Sequence, residues 1–222
     1  MKKLFIVGAG GFGREVLWLA ERVNEATPAW EIAGFLDDNE AFHGTLQDDY
    51  PVLGGCGYLE KIKEEVYAVV AIGSAGVKKA VVKKLAGYGH IRFATLIDPS
   101  IRCSKHVKIG EGSILCAGTI LTTDITIGKH VIINLDCTIG HDVVVGDYVT
   151  IYPSVNLSGN VTVGEEAELG TGSQVIQGKK IGDRTIIGAG AVVIHDIADD
   201  CTAVGIPAKA VKYHTNKLEG KR

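Results

Sequence analysis

The chain has 222 residues, of which 46% are hydrophobic and 22% charged, and its formal net charge is −3 at pH 7. This composition is typical of a globular protein of one or two domains, and the weak negative charge argues against a nucleic-acid-binding surface. No apolar stretch approaches the ~20 residues that cross a bilayer. The apolar run at residues 4–7 is too short for a signal peptide.

The first ninety-five residues predict a small α/β domain. An apolar run at 4–7 is predicted as a strand buried on both faces. Two further strands are predicted at 31–36 and 67–72, and a run at 93–97 leads into the rest of the chain. Helical spacing of apolar residues separates these runs, which favours a parallel sheet. In the second predicted helix, we expect four lysines to form a solvated face: Lys78, Lys79, Lys83 and Lys84.

Three features follow the predicted strands at the edge where parallel sheets bind ligands. Residues 8–13 have the spacing G-x-G-x-x-G, whose bare backbone amides at a helix N-terminus suit a phosphate. Asp37 and Asp38 could accept hydrogen bonds from ribose hydroxyls or a base edge, and Gly73 and Ser74 follow the third strand. The sheet is about half of a full dinucleotide-binding fold. The pattern therefore favours a nucleotide-bearing substrate over NAD(P) and over a purely structural turn.

Residues 97–198 repeat every six residues. The first position is aliphatic in fifteen consecutive units: Ile109, Leu115, Leu121, Ile127, Ile133, Ile139, Val145, Ile151, Leu157, Val163, Leu169, Val175, Ile181, Ile187 and Val193. A fixed six-residue period predicts a parallel β-helix, in which short strands stack coil upon coil. Three units form a coil, so the repeat predicts a prism of five to six coils, about 25 Å long at ~4.8 Å per strand.

Side chains alternate along a strand, so the sixth position of each unit points outward when the first and fifth point inward. Ile114 and Ile132 occupy that outward position one coil apart, and Ile120 and Val192 occupy it on another side. Outward aliphatic residues on a flat face predict a contact between subunits, the alternative being scattered surface residues.

His141 and Asp142 fall in a turn between two strands. A turn allows adjacent side chains to converge, and a carboxylate that orients an imidazole suits a general base. His195 and Asp196 are the other such pair among the seven histidines. Judged from the residues alone, a surface ion pair is the commoner explanation of such a sequence.

Several longer motifs are informative together. They are 8–13 (GAGGFG), 34–38 (GFLDD), 71–74 (AIGS), 132–142 (IINLDCTIGHD), 157–161 (LSGNV), 187–192 (IGAGAV) and 204–209 (VGIPAK). On the basis of these motifs, the chain resembles the hexapeptide-repeat acyltransferases over nearly all of residues 1–212. The similarity is greatest to the sialic acid O-acetyltransferase and bacterial sugar N-acetyltransferase group, which modifies nucleotide-linked amino sugars. The resemblance implies a left-handed β-helix and a homotrimer with active sites between subunits.

The same resemblance implies roles for individual residues. His141 would be the general base, Asp142 would support it, and Asn134 would lie near the acetyl group. Acetyl-CoA, the expected co-substrate, would lie along the prism against Gly159, Thr171, Gly188 and Ala189. The nucleotide would be held by Gly10, Gly11, Phe12, Asp37 and Asp38, with Gly73 beside them. No metal is expected.

Two residues depart from the family pattern. Relatives often have histidine at the position of Phe12, and another where this chain has Thr150. A phenyl ring can pack on a sugar or a base, and the Thr150 hydroxyl can offer a hydrogen bond to CoA. Both departures leave the identity of the nucleotide and the sugar open.

The resulting expectation is an acetyl-CoA-dependent N-acetyltransferase with a nucleotide-binding domain at 1–95, a β-helix at 96–212 and a polar tail at 213–222. The alternatives are O-acetylation of a sugar such as a sialic acid, a non-catalytic trimeric scaffold, and a zinc enzyme of the γ-carbonic-anhydrase type. Five cysteines without CxxC spacing are expected to be reduced and mostly buried, as in a cytoplasmic protein. Neither a membrane nor a nucleic acid is an expected partner.

Overall fold

A computed structural model describes residues 1–214 of the chain. Its N-terminal part is a four-stranded parallel sheet with helices on its faces. Its elements are β1 (Lys2–Val7), α1 (Gly11–Ala26), β2 (Trp30–Leu36), β3 (Leu46–Gln47), β4 (Tyr50–Pro51), β5 (Val66–Val70), α2 (Ala75–Ala86) and β6 (Ile91–Phe93), with 3₁₀ turns at Glu40–Phe42 and Cys56–Lys61. The strand order is β2-β1-β5-β6, and β3 and β4 form a separate hairpin. The predicted α/β architecture is confirmed.

Helix α2 differs from its predicted orientation. Lys78 is 1% exposed and lies with Val82 and Leu85 among the buried residues of the helix, whereas Val77 is exposed. Lys83 is exposed, as expected of a solvated face. The expectation for Lys78 was wrong because α2 contacts the β-helix as well as its own sheet, which helical periodicity alone does not reveal.

Seventeen two-residue strands follow, one for each six-residue unit. They are β7 (Leu96–Ile97), β8 (Arg102–Cys103), β9 (Lys108–Ile109), β10 (Ile114–Leu115), β11 (Ile120–Leu121), β12 (Thr126–Ile127), β13 (Ile132–Ile133), β14 (Thr138–Ile139), β15 (Val144–Val145), β16 (Thr150–Ile151), β17 (Asn156–Leu157), β18 (Thr162–Val163), β19 (Glu168–Leu169), β20 (Gln174–Val175), β21 (Lys180–Ile181), β22 (Ile186–Ile187) and β23 (Val192–Val193). Parallel pairing of strands 18 residues apart forms the predicted left-handed β-helix.

The prism has three faces. Face 1 contains β7, β10, β13, β16, β19 and β22; face 2 contains β8, β11, β14, β17, β20 and β23; face 3 contains β9, β12, β15, β18 and β21. We name the turns between them the 1–2, 2–3 and 3–1 corners. The fourth residue of nearly every unit has a positive φ, as at Asp142 (59°) and Asn160 (58°). Aspartate and asparagine tolerate this left-handed conformation better than most residues, which favours them in these turns.

The aliphatic residues at the first positions form the interior of the prism, and the ladder from Leu115 to Val193 is buried throughout. Burial of one such side chain contributes roughly 1.5–3 kcal/mol. Lys179 occupies the fifth, inward-pointing position of its unit and is only partly buried. The interior therefore forms one continuous apolar core along the prism.

The N-terminal domain covers one end of face 1. The outward side chains of Leu96, Ile114 and Ile132 are buried against it, each at most 1% exposed. The expectation that Ile114 and Ile132 mark a subunit contact was therefore wrong, because the same chain supplies the covering surface. Ile120, on face 2, remains 44% exposed.

An ion pair also joins the two domains. Arg22 on α1 donates from Nε and Nη2 to the carboxylate of Asp98, at 2.6 and 3.1 Å. Ser100 donates to the same carboxylate from its backbone N and its Oγ, at 2.8 and 2.6 Å. Burial raises the pKa of Asp98, but these bonds outweigh it and hold the pKa at about 2.

Strand β24 (Cys201–Val204) extends face 1, and β25 (Lys209–Tyr213) pairs with it antiparallel. The predicted polar tail thus begins within the last strand, and its residues 215–222 lie outside the described part of the chain. Four of the five free cysteines are buried, and Cys103 is exposed. Within residues 1–214, no helix combines the length and the apolar character that a membrane span needs.

Candidate active site

The glycine-rich loop packs tightly against its own sheet. Gly8 has a φ of 108°, and a Cβ there would lie 2.8 Å from the carbonyl oxygen of Ala71. A Cβ on Gly13 would lie 2.0 Å from the oxygen of Gly8, so a side chain fits at neither position. By contrast, the space beside Gly10 and Gly11 is open. Two glycines are thus explained by packing, and two leave room over the N-terminus of α1.

The start of α1 offers unpaired backbone donors. Gly10 caps the helix without a side-chain hydrogen bond, and the first turn contains no acidic residue. The first amides of a helix have no partner within the helix, and their dipoles favour a negative charge. The loop can therefore accept an anionic group such as a phosphate.

The two aspartates after β2 hold neighbouring loops. Asp37 accepts hydrogen bonds from the backbone N of Ala9 at 2.8 Å and of Asn39 at 2.9 Å. Asp38 accepts one from the backbone N of Cys56 at 2.7 Å, and this bond lowers the pKa of Asp38. Both carboxylates line a pocket at the sheet edge whose other walls are mainly apolar: Val7, Gly8, Leu36, Cys56, Ile72, Val77 and Val81. The pocket suits a flat, partly polar group.

A second opening, here called the cleft, lies between the two domains. It is lined by Phe12, Glu15, Gly73, Ile132, Asn134, Thr150 and Tyr152. Phe12 and Gly73 come from the sheet edge, whereas Asn134 and Tyr152 follow strands of face 1 in consecutive coils. The structure thus brings two predicted substrate residues beside one predicted catalytic residue.

His141 and Asp142 lie on the 2–3 corner. The Nδ1 of His141 is 2.7 Å from Oδ2 of Asp142, and both side chains are about half exposed. Gly159 lies one coil further on, where a Cβ would be 2.4 Å from Nε2 of His141. With Nδ1 engaged by the carboxylate, Nε2 is available to exchange a proton with a bound molecule.

The remaining predicted residues lie on a different corner. Asn134, Thr171, Gly188 and Ala189 all follow strands of face 1 and therefore belong to the 1–2 corner. Thr171 and Ala189 are exposed one coil apart, and Asn134 is 8% exposed at the cleft. One chain does not bring Asn134 and His141 together, because face 2 separates the two corners.

Thr150 is engaged within the chain. It is 1% exposed, its Oγ1 donates to the carbonyl oxygen of Gly73 at 2.6 Å, and it accepts from Nζ of Lys78 at 2.8 Å. The expected contact of this hydroxyl with CoA is therefore corrected, since β16 directs Thr150 towards the N-terminal domain.

Sequence reasoning missed several residues at the cleft. Glu15 lies in the second turn of α1, and Tyr152 donates from its hydroxyl to Oε2 of Glu168 at 3.3 Å. Tyr152 follows Asn134 by one 18-residue coil, so the repeat could have placed it beside Asn134. Lys78 carried no such signal. Among residues 1–214, no group of three or more histidine, cysteine, aspartate or glutamate residues is arranged to hold a metal ion.

A triangular prism of six-residue units behind a parallel α/β domain defines a left-handed β-helix protein. A family model described as the PglD N-terminal domain matches residues 3–85. UDP-N-acetylbacillosamine N-acetyltransferase of Bacillus subtilis (strain 168) is 38% identical over 118 residues, covering 53% of this chain and 52% of that protein. The match thus spans about half the length of this curated relative.

Two solved structures align with nearly the whole chain. The acetyltransferase domain of PglB from Neisseria gonorrhoeae FA1090 is 32% identical with a TM-score of 0.85, covering 95% of this chain and 100% of that one. PerB from Caulobacter crescentus, solved in complex with CoA and GDP-perosamine, is 32% identical with a TM-score of 0.86, covering 96% and 98%. The chain therefore belongs to the hexapeptide-repeat acyltransferases, in the group of bacterial sugar N-acetyltransferases, which confirms the resemblance.

Proposed function

We propose that this protein transfers the acetyl group of acetyl-CoA to the amine of a nucleotide-linked amino sugar. The observation that carries the proposal is the His141–Asp142 pair, joined at 2.7 Å, with Nε2 of His141 above the bare backbone of Gly159. The family supports it, since PerB was solved with CoA and GDP-perosamine and the PglB domain with acetyl coenzyme A.

The nucleotide binds at the carboxyl edge of the N-terminal sheet. Gly10 and Gly11 leave room for the pyrophosphate against the N-terminus of α1, where amides and dipole both favour an anion. The apolar pocket beside Asp37 and Asp38 receives the nucleoside. Each carboxylate keeps further lone pairs beyond its backbone bonds, so each can still accept from a hydroxyl or a base.

The sugar extends from this edge into the cleft. Phe12 offers a ring face for packing on the sugar, while Asn134, Tyr152 and Glu15 offer polar groups around it. An apolar surface with a few converging polar groups is typical of a small-molecule site.

Acetyl-CoA lies in a groove between two subunits of a homotrimer. The 2–3 corner of one subunit supplies His141, Asp142 and Gly159, and the 1–2 corner of its neighbour supplies Thr171, Gly188 and Ala189. This arrangement is supported by the distribution of these residues over two corners of one chain, which leaves the site incomplete in a monomer. The exposed Ile120 on the intervening face 2 is consistent with such a contact.

The chemistry is one direct transfer. The neutral sugar amine uses its lone pair to form the new C–N bond at the thioester carbon, and the C–S bond breaks with its electron pair leaving on sulfur. Nε2 of His141 accepts the proton that the nitrogen loses, and Asp142 at 2.7 Å stabilises the imidazolium. His141 can then return this proton to the departing thiolate, so no covalent acyl-enzyme is required.

A cytoplasmic location is part of the proposal. It is supported by the five cysteines, all of them free and four of them buried. Disulfide bonds are rare in the cytoplasm, where thiols are kept reduced.

A substrate screen tests the proposal. Purified protein is mixed with acetyl-CoA and a panel of UDP-, GDP- and dTDP-linked amino sugars, and released thiol is measured together with the mass of the sugar product. We expect one amino sugar to gain an acetyl group with CoA released in equal amount. Free sialic acid and matching nucleotide sugars with a hydroxyl in place of the amine form the control arm. Transfer to these hydroxyls alone would favour O-acetylation, and absence of acetyl-CoA binding by calorimetry would favour a non-catalytic scaffold.

A further inference from the structure

A lysine is buried where the two domains meet. Lys78 on α2 is 1% exposed, and its Nζ donates to Oγ1 of Thr150 at 2.8 Å and to the carbonyl oxygen of Val149 at 3.2 Å. Burial lowers the pKa of Lys78 to about 7, while the nearby Glu168 acts in the opposite direction. Burying an amine that must lose its hydration is unfavourable unless its partners compensate.

The neighbours of Lys78 do not need it for their own hydrogen bonding. The carbonyl oxygen of Val149 also accepts from the backbone N of Ile132 at 2.9 Å. The hydroxyl of Thr150 also donates to the carbonyl oxygen of Gly73 at 2.6 Å. Without Lys78, neither group would become a buried atom lacking a partner, so satisfying these atoms does not explain the lysine.

What Lys78 does determine is the direction of one hydroxyl. A threonine hydroxyl has a single proton, and an N–H from Lys78 occupies a lone pair of Oγ1. The proton of Thr150 is therefore directed to Gly73, in the loop between β5 and α2. A second bridge from the β-helix holds the same loop, since Oε1 of Glu168 accepts from the backbone N of Ala75 at 2.9 Å.

This loop contributes Gly73 to the lining of the cleft, together with Asn134 and Tyr152. The hydrogen bonds of Lys78 and Thr150 therefore set the distance between the sheet edge and the part of the β-helix that faces it. Thr171, Gly188 and Ala189 lie one to two coils further along the prism than Thr150 and do not depend on this distance.

We propose that Lys78 is a positioning residue for the nucleotide-linked substrate: through Thr150 it fixes the Gly73 loop against the β-helix and so sets affinity for that substrate without affecting acetyl-CoA. The inference rests on the function proposed above. It assigns to Lys78, whose desolvation is unfavourable, a role in substrate affinity rather than in stability.

The test uses Lys78→Met, which keeps the unbranched chain and removes the donors, with the exposed Lys83→Met on the same helix as control. We expect Lys78→Met to melt at the wild-type temperature or above it. Its KM for the nucleotide sugar should rise about tenfold, the size expected for loss of one hydrogen bond, with KM for acetyl-CoA within about twofold of wild type. Lys83→Met should match wild type in all three measurements.

Thr150→Val removes the other half of the bridge. If both residues act through one hydrogen-bonded unit, the double variant should raise the KM for the sugar no more than the larger single effect. If the fold-increases in KM of the two single variants multiply in the double variant, Lys78 and Thr150 act independently, and the inference is overturned.

Two further outcomes would also overturn it. One is an unchanged KM for the sugar in Lys78→Met; the other is a lower melting temperature with both KM values raised equally, as a merely structural residue would produce. Calorimetry with UDP, GDP and dTDP separates this inference from the proposed function, because it needs no turnover. If the wild type acetylates no sugar, the proposed function fails. Independently of turnover, an equal nucleotide affinity in wild type and Lys78→Met, or no nucleotide binding by either protein, overturns the inference.

Discussion

The α-carbon of Gly159 lies beside the imidazole of His141, one coil further along the prism, so that a Cβ at Gly159 would be only 2.4 Å from Nε2. The two residues are 18 positions apart in the sequence and adjacent in space. The absence of a side chain at Gly159 is therefore what allows the imidazole its observed position beside Asp142.

Gly159→Ala should displace that imidazole while leaving the prism folded. A displacement of about 1 Å can reduce a rate about 10²-fold, so we expect kcat to fall by roughly one to two orders of magnitude. Steady-state kinetics and thermal unfolding check this, with Gly57→Ala as control because its Cβ would meet open space. Full activity in Gly159→Ala would mean that the imidazole position is unimportant.

His141→Ala should lower kcat by roughly 10²–10⁴-fold, the usual contribution of a general base. His141 is about half exposed and does not belong to the buried core of the prism, so the melting temperature should stay within about 2 °C of wild type. Asp142→Asn should give a smaller loss, since the imidazole remains. His195→Ala, which alters the other His-Asp pair on the same corner, serves as control. A near-normal rate in His141→Ala would remove His141 from the mechanism.

Ile120→Asp should weaken the proposed trimer. Ile120 is 44% exposed on face 2, and Val144 is 45% exposed on face 3, which makes Val144→Asp a matched control. Sedimentation velocity should show smaller species for Ile120→Asp alone, and activity should fall in parallel because the 1–2 and 2–3 corners would no longer meet. If Val144→Asp dissociates the protein instead, face 3 rather than face 2 is the contact.

Asp98→Asn should destabilise the protein by about 2–3 kcal/mol, at or below the lower limit for a fully buried ion pair, because the side chain of Arg22 is 31% exposed. The pKa of Asp98 is about 2 when folded, against an ordinary 3.8. Between pH 3.8 and about 2, Asp98 therefore binds a proton in the unfolded chain but not in the folded one. The stabilisation from Asp98, which is present above pH 3.8, is lost as the pH falls towards 2.

Denaturant unfolding at pH 7 and an acid titration measure both effects of Asp98→Asn. Glu64→Gln is the control, since the Lys3–Glu64 contact is 3.7 Å long and largely exposed. An unchanged free energy of unfolding in Asp98→Asn would show that the Arg22–Asp98 pair does not hold the domains together.

His130 predicts a second pH dependence. It is 5% exposed, stacked on Tyr148 and edge-on to Phe93, and burial lowers its pKa from 6.5 to about 4. Between these values the unfolded chain binds a proton that the folded chain does not, so His130 makes stability fall as pH decreases from 6.5 to 4.

His130→Asn should flatten that slope at the cost of about 1–2 kcal/mol in packing. Asparagine tolerates the positive φ of 53° at this position. Thermal unfolding from pH 7.5 to 4 measures the slope, and His106→Asn, at an exposed position, should leave it unchanged. An identical slope in His130→Asn and wild type would assign the pH dependence to other groups.

The six-residue repeat by itself determined the β-helix, its number of coils and the pairing of each strand. This was possible because parallel strands stack at one fixed spacing, so a period in the sequence becomes a period in space. The convergence of His141 and Asp142 was also predictable, since it depends only on a turn between adjacent residues. The glycine spacing at 8–13 likewise indicated the loop at the sheet edge.

Only the tertiary structure decided what covers face 1. Ile114 and Lys78 are both buried because the N-terminal domain packs on the prism, and Thr150 is turned to that domain for the same reason. Contacts between segments seventy or more residues apart follow no period, since they depend on how two separately folded surfaces meet. The repeat itself places Asn134 and His141 on different corners. Whether the two residues share a site depends on how separate chains meet, which no period in one chain specifies.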